Sequence, residues 1–179
     1  MSQIKKRIVI DEVSKIFQTP QGNLSAITDI NLEIQNGEFF SIVGASGCGK
    51  TTLLRILAGL ETASAGTITI NSSDDTRPLS SVVFQEQSIF PWMTVLDNVA
   101  YGLKMRGISK MQRYETATYY IRMIGLEKFM KAYPYQLSGG MKQRVSVARA
   151  FANDSEILLM DEPFGALDEQ NRIILQQEL

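Results

Sequence analysis

Residues 44–52 read GASGCGKTT, from Gly44 through Ala45, Ser46, Gly47, Cys48, Gly49, Lys50 and Thr51 to Thr52. They fit the pattern G-x-x-x-x-G-K-[ST] without deviation. Glycines let a backbone wrap closely around a phosphate chain, so that successive N–H groups point inward. Lys50 supplies a point charge near the outer phosphates, and the Thr51 hydroxyl can coordinate Mg²⁺. A glycine-rich turn before a helix is often only a turn. Here the loop follows an apolar run and opens an amphipathic stretch, and that placement points to nucleotide binding. Cys48 occupies a free position of the loop, where a small residue is tolerated; a redox role would need an activating environment.

A second chemistry-bearing group is the carboxylate pair Asp161-Glu162, at the end of the apolar run ILLM and before Pro163. As bare residues they are ordinary strand-end caps. Beside a phosphate loop they acquire tasks, because phosphoryl hydrolysis needs one group to hold Mg²⁺ and another to orient the attacking water. Neighbouring residues on a strand face opposite ways. Asp161 is thus expected to hold the metal and Glu162 to act as general base, with a raised pKa if it is desolvated. Gln85 ends another short run, SVVFQ, either as a polar terminus or as a ligand reaching Mg²⁺ and the water. A third group is LSGGMKQR, residues 137–144, in which a Ser-Gly-Gly turn entering a helix makes an anion-binding device.

The elements that must position these groups alternate in period. Ile30, Leu32 and Ile34 alternate with polar residues as in a half-buried strand, and FFSIV, residues 39–43, reads as a strand ending at the phosphate loop. Leu53, Leu54, Leu57 and Leu60 form a helical stripe. Residues 67–70, 81–84 and 156–160 read as short strands, and residues 109–125, 138–152 and 169–179 as helices, with Ser138 an N-cap. Short apolar strands alternating with helices predict an α/β domain with a mainly parallel central sheet.

Composition narrows the partners. The 179 residues carry a formal charge of −1, so the basic face of a nucleic-acid binder is not expected. Lys5-Lys6-Arg7 reads as a solvated basic run. No apolar run approaches the roughly 18–20 residues that span a bilayer. The single cysteine excludes an internal disulfide framework and suits a reducing compartment, with the cytoplasm expected.

Taken in order, GASGCGKTT, Gln85, LSGGMKQR, ILLMDEP and GALD resemble the nucleotide-binding subunit of ATP-binding cassette (ABC) transporters. The likeness covers nearly the whole chain. It implies an α/β P-loop NTPase fold with an antiparallel β subdomain at the N-terminus and an α-helical subdomain at about 86–150, all within one nucleotide-binding domain over 1–179. It implies ATP and Mg²⁺ as ligands, with Thr51, Gln85 and Asp161 on the metal and Lys50, Gln85 and Glu162 in hydrolysis. Two such domains pair head to tail in the family, as a homodimer or with a second ABC ATPase subunit. Ser138, Gly139 and Gly140 would then meet the γ-phosphate held by the partner, with Asp168 of GALD linking the two sites. Phe17, in VSKIFQT, matches the aromatic that stacks on adenine, although as a residue it equally suits a core position.

Residues 85–103 lie where the family meets its membrane-embedded permease, and Phe90, Trp92 and Met93 are the exposed apolar residues expected there. Trp92 filling a local core is the plain alternative. PWMTVLDNV, MKQRVSVARAFA and LLMDEPFGALD resemble the nitrate, sulfonate and taurine importer branch. The implied setting is peripheral, on the cytoplasmic face of the membrane, with a solute-binding protein as an indirect partner.

The sequence also departs from the family, which places a histidine after the GALD helix and a further strand between those ending at Gly44 and Asp161. No histidine occurs in these 179 residues. They are therefore expected to be the front part of a longer, C-terminally truncated chain. On this reading the 179 residues alone would be poorly stable and hydrolyse little ATP, leaving an ATP-binding module without turnover as the alternative.

Overall fold

The computed structural model describes residues 6–85 and 88–162. It divides into two compact units, one running to Asp75 and the other starting at Thr76.

The first unit rests on a hairpin. β1 (Lys6–Thr19) and β2 (Gly22–Gln35) run antiparallel about Pro20-Gln21, and β3 (Ala65–Ile70) pairs antiparallel with the other edge of β1. Alternating apolar residues bury one face, Ile8 and Ile10 of β1 and Ile27 of β2 among them. α1 (Lys50–Leu57) lies against β2 and buries Leu53, Ile56 and Leu57. The predicted stripe stops short of Leu60, which is 59% exposed. Gly59, at φ 70°, closes the helix, with its N–H on the Ile56 carbonyl and that of Leu60 on Arg55.

Two expectations fail in this unit. Residues 39–43 form no strand, and Phe39 and Val43 are 78% and 88% exposed. A strand exists only through a ladder, and this run pairs with none of the described strands. Arg7 is buried rather than solvated. The β1–β3 pairing carries its guanidinium to the Asn71 carbonyl and to Ser73 Oγ.

The second unit combines a short parallel sheet with helices. β4 (Ser80–Val83) and β5 (Ile157–Met160) pair in parallel, and the ladder continues into Asp161, whose N–H donates to the Val83 carbonyl at 2.9 Å. Between them come α2 (Val95–Val99), α3 (Tyr101–Met105), α4 (Lys110–Met123) and α5 (Gly139–Ala152). Val83, Val99, Ile121, Val145 and Ala148 meet in one core. α4 and α5 match the predicted helices, with Ser109 and Ser138 as N-caps. The predicted helix over 169–179 lies outside the described residues. Among those described, no helix is long and apolar enough to cross a membrane.

Candidate nucleotide site

In the first unit the phosphate loop runs directly into α1. Gly49 is the helix N-cap at φ 95°, and Gly47 sits at φ 80°. Both conformations favour glycine. At Gly49 a side chain is excluded for a second reason, since a Cβ would collide with the Ala26 carbonyl and stand 2.5 Å from Cγ2 of Ile27. The loop is thereby seated on β2. Lys50 folds back over it, its ammonium donating to the carbonyls of Gly44 at 2.8 Å and Ala45 at 2.9 Å. Cys48 is exposed, its sulfur 3.8 Å from that ammonium. A half-buried cation folded over an exposed glycine-rich loop, at the positive end of a helix, can meet a phosphate chain. Phe17 is half-buried near the end of β1, with the Lys15 ammonium 4.9 Å from its ring centroid.

In the second unit, Gln85, Asp161 and Glu162 stand together at the C-terminal ends of β4 and β5. The Gln85 amide donates to the Glu162 carboxylate at 2.8 Å. Asp161 is buried and Glu162 exposed, both just past the end of β5 at Met160. Glu162 also takes φ 46°, an uncommon conformation for a residue with a side chain. Ser138 caps α5, its hydroxyl oxygen accepting from the Met141 N–H at 3.3 Å. Leu137 is buried and anchors the turn, leaving Ser138 and Gly139 exposed at the positive end of the helix. Asp168 lies outside the described residues.

The apolar surface after Gln85 differs from expectation. Trp92 is 68% exposed, but Phe90 and Met93 are half-buried. Tyr101 and Arg149 cover the Phe90 ring, at 4.6 and 5.2 Å from its centroid. Asn98, fully buried on α2, fastens the turn. Its amide donates to the carbonyls of Phe90, Met93 and Thr94, and its oxygen accepts from the Phe90 N–H.

Two positioning residues were not legible as such in the sequence. Gln143, buried on α5, donates to the Phe84 carbonyl at 3.4 Å. Arg149, one and a half turns further on, donates to the Ser88 carbonyl at 3.0 Å and to its hydroxyl at 3.1 Å. The helix that begins with the Ser-Gly-Gly turn thus grips the chain on both sides of Gln85. Polar residues beside the apolar stripe of 141, 145, 148 and 152 were the available signal.

A phosphate loop opening a helix, together with a carboxylate pair at the end of a parallel strand, defines an α/β P-loop NTPase. The family model described as ABC transporter matches residues 27–165, and the chain belongs to that family. It is 50% identical over 165 residues to the nitrate import ATP-binding protein NrtD of a Synechocystis species, covering 91% of this chain and 62% of that protein. It is 44% identical over 173 residues to the taurine import ATP-binding protein TauB of Rhizobium johnstonii, covering 95% of this chain and 66% of that one. The chain thus spans about two thirds of these relatives' length. The ATP-binding cassette MJ0796, solved as a dimer in a post-hydrolysis state with ADP and Pi, superimposes with a TM-score of 0.87 at 34% identity, covering 95% of this chain and 80% of that one. The fold is therefore that of an ABC ATPase cassette.

Proposed function

We propose that the chain is the ATP-binding and ATP-hydrolysing part of a subunit that powers an ABC importer, for solutes such as nitrate, sulfonates or taurine. The observation that carries the reading is the Gln85–Glu162 hydrogen bond at the strand ends, one residue from buried Asp161. It gathers the groups expected to hold metal and water. In the first unit the phosphate loop supports the reading on its own account, with a cation held over a glycine-rich turn that tolerates no side chain at Gly49.

In this reading the backbone of residues 44–52 and Lys50 bind the phosphates, and Phe17 supports the adenine. Glu162 accepts the proton of the attacking water, held in place by Gln85. Mg²⁺, which would be held by Thr51, Gln85 and Asp161, supplies charge neutralisation at the outer phosphates. Ser138 and Gly139, exposed at the start of α5, suit a γ-phosphate held by a second copy or a sister subunit, with Asp168 completing the link. Trp92 and the segment 85–103 suit a permease helix, which sets the protein on the cytoplasmic face of the membrane. The solute preference rests on the names of the nitrate and taurine relatives. The likeness to a post-hydrolysis cassette favours turnover over a module that only binds ATP. The test is ATP hydrolysis by the protein with its permease in vesicles, with and without candidate solutes. Turnover is expected to rise with nitrate, a sulfonate or taurine, and turnover indifferent to all three would remove the solute assignment.

A further inference from the structure

Lys15 is 9% exposed, unusual for an ammonium, whose removal from water is costly unless every donor is met. Its partners are specific. It donates to Glu61 Oε1 at 2.7 Å and to the Thr62 carbonyl at 2.8 Å. The ammonium also lies 4.9 Å from the centroid of the Phe17 ring. The three N–H groups of a lysine are thus accounted for by a carboxylate, a carbonyl and an aromatic face. Lys15 and Phe17 are two apart on β1 and so share a face.

The surrounding register ties this pair to the phosphate loop. Lys15 pairs with Ile27 and Ile16 with Ser25, so Ala26 is the extra residue of a bulge in β2. Ala26 and Ile27 are the residues on which Gly49 is seated. Phe17 pairs with Leu24, three residues before Ile27 on the same strand. At about 3.3 Å per residue, the ring and the phosphate loop are about 10 Å apart along β2. The ring is half-buried, so part of it remains open, and with a fixed cation on one side a planar partner would stack on the other. A cation beneath a ring draws its π-density away and strengthens stacking by an electron-rich base above.

Resting on the nucleotide reading above, we propose that Lys15 is a positioning residue for base recognition. Clamped by Glu61 and Thr62, it fixes and polarises the Phe17 ring so that the ring stacks an adenine whose phosphates lie on residues 44–50. The Glu61 carboxyl is held below its ordinary pKa, chiefly by the hydrogen bond from Lys15 and next by the Thr62 N–H, so the clamp is charged at neutral pH.

The test compares ATP with inorganic tripolyphosphate, which shares the phosphates and lacks the base, by calorimetry on the wild-type protein and on Lys15→Met, Lys15→Arg and Glu61→Gln. Lys15→Met is expected to weaken ATP about fivefold and leave tripolyphosphate unchanged, with Lys15→Arg restoring ATP. Glu61→Gln, at a partly exposed carboxylate, covers the event that Lys15→Met does not fold. It should weaken ATP about twofold, again without touching tripolyphosphate. Equal losses for both ligands, or none for ATP, would overturn the proposal. A wild-type protein that binds ATP no better than tripolyphosphate would sink the nucleotide reading itself, and this proposal with it.

Discussion

The side-chain amide of Gln85 donates to the carboxylate of Glu162 at 2.8 Å, joining the ends of two parallel strands that are 77 residues apart in sequence. An exposed carboxylate at φ 46° would otherwise wander, and the amide fixes one of its oxygens. Gln85→Ala is therefore expected to lower turnover about tenfold or more while ATP affinity stays within twofold, because general-base positioning rather than binding is lost. A stopped-flow phosphate assay with parallel calorimetry reads both quantities. Equal losses in the two would mean that Gln85 acts mainly in binding.

The phosphate-loop glycines should not be equivalent. Gly47→Ala meets open space and bears only the penalty of its positive φ, about 1–2 kcal/mol. Gly49→Ala adds a collision with the Ala26 carbonyl and the Ile27 side chain, and should cost at least about 2 kcal/mol more. Thermal melts of the two variants give the comparison. A Gly49→Ala melt no lower than that of Gly47→Ala would show that the loop is not seated on β2.

The helical unit carries a pH-dependent network. Burial works against the Asp97 carboxylate, but hydrogen bonds from Thr94 and Tyr114, with Lys104 and Lys110 nearby, outweigh it and hold its pKa below the ordinary value. A depressed carboxylate contributes stability that is complete above its unfolded pKa, about 3.9, and is lost as pH falls through the lower folded value. Tyr114→Phe should cost about 1.5 kcal/mol near pH 7, and the gap from wild type should narrow as pH falls below the unfolded value of about 3.9 and close once pH is below the folded one. Urea titrations at a series of pH values measure it, and a gap that persists into acid would mean the loss is one of packing.

Arg149 is expected to act through geometry. Its two bonds to Ser88 use the fork of the guanidinium, which a lysine cannot reproduce. Arg149→Lys should therefore behave like Arg149→Met, each losing about 2 kcal/mol and some turnover through the loosened chain beside Gln85. A lysine variant as stable and active as wild type would leave only the charge as its contribution.

What could be read from the sequence was what depends on neighbouring residues in the chain. Residues 44–52 declare a glycine-rich turn entering a helix by local spacing, Ser138 declares a cap, and Asp161-Glu162 declare the end of an apolar strand, and the turn, the cap and the strand end are found in the structure. What could not be read depends on distant partners. FFSIV looks like a strand because it is apolar, yet pairing decides, and the described strands offer it none. Phe90 looked exposed because Tyr101 and Arg149, which cover it, come from elsewhere in the chain. Arg7 looked solvated until β3 brought Asn71 beside it. Lys15, Gln143 and Arg149 are polar residues whose partners lie 46, 59 and 61 residues away, beyond any periodicity.

The most direct measurement is ATP binding and hydrolysis, side by side, in the wild-type protein and in Lys50→Ala and Glu162→Gln. In the whole subunit, of which these 179 residues are proposed to be a part, wild type should bind and hydrolyse ATP. Lys50→Ala should lose both, and Glu162→Gln should bind as well as wild type while turnover falls about 100-fold or more. Wild-type turnover in Glu162→Gln, or undiminished ATP binding in Lys50→Ala, would contradict the assignment of these residues to an ATPase site.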